Sequence, residues 1–180
     1  MEVDESHPAA DDFLAQVCVD WEREAQRVAD HGVRVVLLRI GIVLGNGGGA
    51  AEKLLPMFRW GLGGPLGSGK QYVPWIHVED LANMIVWAIE NESVSGPLNA
   101  SAPNPVRNRE MTRVMAKAVK RFAILPAPKF ALKVVLGEFA GSLFSSQRVI
   151  PKAALSGGFQ FQYPTIESAF AEIVGNESEK

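Results

Sequence analysis

The sequence predicts an α/β fold built on parallel strands. Two observations carry this. A helical pattern over residues 12–31 stops at Gly32 and leads at once into VRVVLLR (33–39), a β-branched and aliphatic run of the kind covered on both faces of a sheet. A second helical pattern, HVEDLANMIVWAIEN (77–91), precedes a brief strand, GPLNAS (96–101). The two strands are expected to lie parallel, with helices 12–31 and 78–91 packed on the sheet.

Each element has a local reason. Residues 1–11 are polar and read as extended. Asp11 or Asp12 can accept from the free amides of the first helical turn. Leu14, Val17, Cys18, Trp21, Ala25 and Val28 then recur at three- and four-residue spacing and form one apolar stripe. Cys18 lies on that stripe and is expected to pack there, where a thiol is a poor nucleophile. Gly32 suits the left-handed residue that ends a helix. Residues 41–71 hold ten glycines and two prolines around a short helix at about 50–60, bent or started by Pro56. YVPWI (72–76) reads as a strand that Pro74 makes an edge or a bulge. In helix 77–91, Leu81, Ile85, Ala88 and Ile89 are expected to face inward, with Glu79 or Asp80 as cap. Asn108 can cap a helix over 108–121. The remainder, 122–174, alternates short helices with FQF, a strand-like piece. Thr165 can cap the last helix, and the tail GNESEK should fray.

Composition bounds the function. The chain is 47% apolar and 21% charged, as a soluble globular protein is, and its single cysteine excludes an internal disulfide framework and suits a reducing compartment. No apolar run reaches the roughly 18 residues of a membrane span, and the acidic start does not read as a signal peptide. The cytoplasm is expected, without a membrane partner. Residues 1–30 carry nine acids against Arg23 and Arg27, and residues 107–133 carry eight bases against Glu110. The basic stretch is either a solvated helix face or an anion surface. It lacks interleaved aromatic residues, so no nucleic-acid partner is expected. His7, His31 and His77 do not stand at metal-ligand spacing, and no metal site is expected.

GNGGGA (45–50) has the written form of a dinucleotide fingerprint, whose glycines let a pyrophosphate approach a helix N-terminus. The ribose-binding acid expected about 20 residues on is missing, because 65–70 reads PLGSGK. A flexible substrate-side loop is the expectation for this stretch.

LRIGIVLGNGG, GPLGSGKQYVPWIHVEDLA and GPLNASAPNPVRN resemble the latter half of the extended and atypical short-chain dehydrogenase/reductases. DFLAQVCVDWE and SSQRVIPKAALSGGFQFQYPTIESAF resemble, more narrowly, the NAD-dependent epimerase/dehydratase-like family, often called nucleoside-diphosphate-sugar epimerase-like proteins. The resemblance covers about residues 3–174. It implies the C-terminal part of a Rossmann-type short-chain dehydrogenase/reductase fold, without the N-terminal dinucleotide-binding βαβ units, plus a small, mostly helical C-terminal lobe. It divides the chain into the Rossmann-like part (1–106), that lobe (107–174) and a disordered tail (175–180).

The resemblance also implies NADP or NAD as cofactor of the full-length form, and a small-molecule substrate such as a nucleotide sugar or a carbonyl compound. The superfamily uses Tyr-x-x-x-Lys on the helix before the LR strand, with an acid four residues after the Lys. With Glu22 as that acid, Cys18 stands at the Lys position and Leu14 at the Tyr position. The chain alone is therefore not expected to catalyse. The alternative is a non-enzymatic binding or assembly module on the same fold. Arg39 and Gly41 are the candidate cofactor-side residues, with a salt bridge from Arg39 to Glu22 or Glu79 and a plain turn at Gly41 as the alternatives. Lys70, Gln71 and Trp75 are candidate substrate contacts, with a place in the core as the alternative for Trp75. His77 is either a proton donor or a packed, hydrogen-bonded residue. An exposed sheet edge around Val35 and Leu37 is expected to favour homo-oligomers.

Overall fold

A computed structural model describes residues 2–123 and 146–175. The predicted pair of parallel strands is its centre. β1 (Glu2–Val3) opens the chain, and α1 (Phe13–Gln26) follows, continued by a tighter turn over Arg27–His31. Asp12 caps α1 through its carboxylate, which accepts from the amide of Ala15 at 3.0 Å. Gly32 ends the helical stretch in the left-handed conformation, at φ 76°. β2 (Val36–Ile40) and β3 (Ile42–Leu44) are one extended run broken at Gly41. Next come α2 (Gly49–Arg59), β4 (Tyr72–Val73), β5 (Trp75–His77), α3 (Val78–Glu90) and β6 (Gly96–Ala100). β7 (Val106–Arg107), α4 (Asn108–Ala118), β8 (Arg148–Val149), α5 (Lys152–Ser156) and α6 (Ile166–Gly175) complete the described elements.

β2 pairs in parallel with β6, Val36 opposite Gly96 and Ile40 opposite Ala100. At Gly41 the run changes partner. The Gly41 amide still donates to Ala100 at 3.0 Å, whereas that of Ile42 donates to the Pro74 carbonyl at 2.8 Å, and β3 pairs in parallel with β5. Pro74 has no amide hydrogen, and it divides the expected single strand into β4, which pairs antiparallel with β7, and β5. β1 pairs in parallel with β8.

Two apolar clusters fill the interior. One joins Leu44, Leu55, Phe58 and Trp75 to Met111, Met115, Ile166 and Phe170, so the spans 1–106 and 107–174 share it. The other packs Met84 and Ala88 of α3 against Leu98 and Ala100 of β6, with Phe159 and Ala154.

Several expectations are corrected here. α1 has no buried residue; Leu14 and Cys18 are exposed, and Trp21 is 71% exposed. The apolar stripe therefore faces solvent instead of the sheet, because β2 pairs along one edge only among the described residues and α1 has no strand beneath that stripe. In α3 the inward residues are Met84, Ala88 and half-buried Leu81, while Ile85 and Ile89 point outward. Leu37 is buried and Val35 half-buried, so the exposed apolar residues are others, among them Phe13, Leu14 and Trp21 of α1 and Ile40 of β2. FQF is not a strand; Phe159 enters the second cluster from a loop. Asn108 is the first residue of α4 and not its cap, since its side-chain oxygen accepts from the Leu66 amide at 2.7 Å. Thr165 does cap α6, accepting from Ser168 at 3.2 Å. The tail beyond Gly175, and Lys129 and Lys133 of the basic stretch, lie outside the described residues.

Candidate functional site

Parallel strands that end at one level present their last residues together, and open α/β sheets take ligands there. Arg39 sits one residue before the end of β2, opposite Asn99 of β6. Its guanidinium is held by a fork: Nε and Nη2 donate to the two carboxylate oxygens of Glu22, each at 2.7 Å. Nη1 donates to the Glu5 carbonyl at 3.2 Å. Each partner stabilises the charged form of the other, so Glu22 is held below the usual carboxylate range and Arg39 above its own ordinary value. Of the two alternatives for Arg39, the salt bridge to Glu22 is present.

The chain start closes over this end of the sheet. The Glu5 carboxylate accepts from the amides of Asn99 at 3.1 Å and Ala153 at 3.2 Å, and the Asn99 side chain donates to the Ile150 carbonyl at 3.1 Å. Asp4 binds Lys152 at 2.9 Å; bonds from Ser6, then the Lys152 ammonium, hold its carboxyl at about 2. Glu5, Asn99 and Lys152 were not singled out in the sequence. Only Asn99 carried a signal, a polar residue inside the short apolar strand GPLNA.

On α1, Leu14, Cys18 and Glu22 follow at four-residue spacing and so lie along one side of the helix, the side that carries Glu22 to Arg39. The Tyr and Lys positions thus accompany the acid that meets the strand end, but they hold an alkyl group and an exposed thiol. Burial does not set the character of Cys18, contrary to expectation.

His77 closes β5 and is 1% exposed. Its Nδ1 accepts from the Glu79 amide at 3.3 Å, which makes His77 itself the cap of α3, and its Nε2 lies 2.9 Å from Glu172 of α6. Nδ1 as acceptor leaves the proton on Nε2, directed at Glu172. The Tyr163 ring covers the imidazole, with centroids 4.0 Å apart. Burial, followed by the bond its hydroxyl donates to Glu79, pushes Tyr163 up to about 12. The fully buried Asp80 is not a cap either; it accepts from the amides of Gln162 at 2.7 Å and Tyr163 at 3.0 Å. His77 is packed and hydrogen-bonded, and the group fixes residues 162–172 to the start of α3.

The other candidates are scattered. Trp75 is sealed in the core. Gln71 is buried, its side chain donating to Leu66 at 3.1 Å and its carbonyl accepting from Asn108 at 2.8 Å. Lys70 stands exposed at the tip of the same loop. A Cβ on Gly41 would meet the Pro74 carbonyl at 3.0 Å, so glycine there serves the close crossing of two backbones. The 45–50 stretch does form a strand–turn–helix, with left-handed Gly47 and Gly49. Gly45, however, is closed by Val78, whose Cγ1 lies 2.5 Å from a built Cβ. Among the described residues no group of three or more His, Cys, Asp or Glu could hold a metal, and no helix is long and apolar enough to cross a membrane.

The NAD dependent epimerase/dehydratase family model matches residues 13–101, and a domain of unknown function, DUF1731, matches 127–173. An epimerase family protein of Arabidopsis thaliana, the chloroplastic SDR39U1 homolog, is 46% identical over 95% of this chain, which covers 49% of that protein. The crystal structure of human epimerase family protein SDR39U1 with NADPH superposes with a TM-score of 0.92 at 40% identity, covering 98% of this chain and 60% of that one. A nucleoside-diphosphate sugar epimerase from Corynebacterium glutamicum superposes with a TM-score of 0.79 at 33% identity, over 98% of this chain and 34% of that one. The chain spans about half the length of the curated relatives it matches.

Proposed function

Because the chain belongs to the NAD-dependent epimerase/dehydratase family, we propose that it contributes the substrate-side part of a fold that binds NAD(P) and a small polar substrate, a nucleotide sugar or a carbonyl compound. The observation that carries this reading is the common end of β2 and β6, where Arg39 and Asn99 stand side by side. NAD(P), when bound, takes or supplies a hydride. Arg39 and Gly41 border the nicotinamide side of that end. Lys70 offers a mobile cation to the substrate.

The residues of this chain fit the cofactor only in part. The glycine turn at 45–49 is closed at Gly45 by Val78 and lacks a ribose-binding acid. Leu14 and Cys18 cannot provide the Tyr–Lys proton transfer, so no such step is assigned to α1. A binding or assembly module without turnover is the second reading, and the same two residues favour it. Among the described residues β2 pairs along one edge only, and its other edge, together with the exposed apolar residues of α1, is the proposed surface for self-association.

A fluorescence titration with NADPH tests the reading. The 180-residue chain alone should bind no tighter than about millimolar, roughly −4 kcal/mol. Fused to the part of the human relative that it does not span, it should bind far more tightly, and Arg39→Ala should weaken that binding more than Lys152→Ala. Micromolar binding by the chain alone, abolished by a bulky residue at Gly47, would overturn the proposal and make the 45–49 turn the phosphate cradle.

A further inference from the structure

We propose that the groove along α4 binds an organic phosphate, an anion with an apolar body, and this inference does not rest on the cofactor reading. The groove encloses about 710 Å³. Its cations are Arg109, Arg113, Lys117, Lys120 and Arg121, and no acid lines it among the described residues. Its floor is Thr112 and Ala116, both buried and small enough to leave room, and Phe122, 83% exposed, stands at its rim.

Three observations separate this groove from an ordinary solvated face. First, Arg109, Arg113 and Lys117 follow at four-residue spacing, which places like charges side by side, and such pairs destabilise a helix. None of the three has an ion-pair partner among the described residues. A dianion set among them would reverse the sign of that repulsion.

Second, Lys120 is the only non-glycine residue at positive φ among the described residues, at 55°. It ends α4 in the left-handed conformation, with the Arg121 amide donating to Ala116 at 2.8 Å, the bond of a helix stop where glycine is the unstrained choice. A lysine held there keeps a strained backbone and places one more cation on the groove.

Third, the first two amides of α4 are already taken. That of Asn108 donates to Gln71 at 2.8 Å and that of Arg109 to Gly69 at 3.0 Å. An anion in this groove is therefore held chiefly by the side chains along the helix. The small, buried floor beneath those cations favours a ligand with an apolar body over a bare ion.

The test uses the full 180-residue chain, with 1-naphthyl phosphate as the organic probe and inorganic phosphate as the bare one, at matched ionic strength. Saturable binding of naphthyl phosphate, at least about tenfold tighter than inorganic phosphate, is expected. Arg113→Ala combined with Lys117→Ala should weaken it about tenfold or more without unfolding the chain, since both side chains are exposed. Lys120→Gly should raise the denaturation midpoint yet weaken the probe several-fold, a combination that a merely structural lysine would not give. Equal, weak effects of phosphate, sulfate and chloride would overturn the proposal. So would binding that the double variant leaves intact, or retention of an oligonucleotide but not of naphthyl phosphate.

Discussion

Removing the Arg39 guanidinium should detach α1 from the sheet before the rest of the fold is disturbed. α1 buries no residue, so the fork from Arg39 to Glu22 is its strongest described tie to β2. The fork has two charge-assisted bonds at 2.7 Å, and its side chains are 36% and 26% exposed. Fully exposed pairs contribute about 0–1 kcal/mol, while breaking a buried pair costs about 3–5. The half-buried case lies between, at about 1–2 kcal/mol, or about tenfold in a local opening equilibrium. Amide hydrogen exchange on Arg39→Ala should therefore show residues 13–26 exchanging about tenfold faster, with β6 and α4 unchanged. Glu22 sets the pH dependence. Its folded pKa is depressed, so its contribution is complete above the ordinary carboxylate value of 4.5 and is lost as pH falls through the lowered one. Glu22→Gln should abolish that acid-side loss of protection in α1. Unchanged exchange in residues 13–26 of Arg39→Ala would refute the reasoning and mean that contacts other than the fork hold the helix.

Two further outcomes follow from the geometry. Cys18 is exposed, so a thiol reagent should label it in the native chain without prior unfolding, and Cys18→Ala should move stability by no more than about 0.5 kcal/mol in a urea titration. Gly41→Ala should cost about 1–3 kcal/mol in the same titration, because its Cβ meets the Pro74 backbone at 3.0 Å, where no side chain can yield; a neutral result would mean that the strands can part there.

What the sequence made legible follows from how local the signal was. The parallel strands, the Gly32 stop and the Thr165 cap all rest on patterns within one element, and they appear where those patterns place them. The failures share a different cause. Leu14, Cys18 and Trp21 have the spacing of a buried stripe, but spacing specifies a face without specifying what covers it. In α3 the apolar residues occupy nearly the whole circumference, so periodicity could not separate Met84, which is buried, from Ile89, which is not. The contacts at the strand ends depend on pairing β1 with β8 across some 145 residues of chain, and no local pattern announces that pairing. His77 and Asp80 were visible as polar residues beside a helix start. Their partners, Glu172 and the amides of Gln162 and Tyr163, lie more than 80 residues away in the sequence.

The side of α1 that carries Glu22 holds Leu14 and Cys18 where the resemblance places a Tyr–Lys pair. Proton transfer by a Tyr–Lys pair needs three things from that helix: a hydroxyl, an ammonium to lower its pKa, and a fixed distance to the strand end. The chain keeps the third alone. Glu22 and Arg39 set the height and rotation of α1 against β2 through two short bonds, which is a positioning function. One and two turns earlier, Cys18 and Leu14 occupy the places that this positioning would serve, and neither can shuttle a proton to a sugar or carbonyl oxygen as Tyr and Lys do. A geometry kept without its acid–base groups still shapes a pocket wall. A ligand at the ends of β2 and β6 would meet Asn99 and Arg39 already engaged by Ile150, Glu22 and Glu5. Any chemistry on that ligand then requires groups from outside α1.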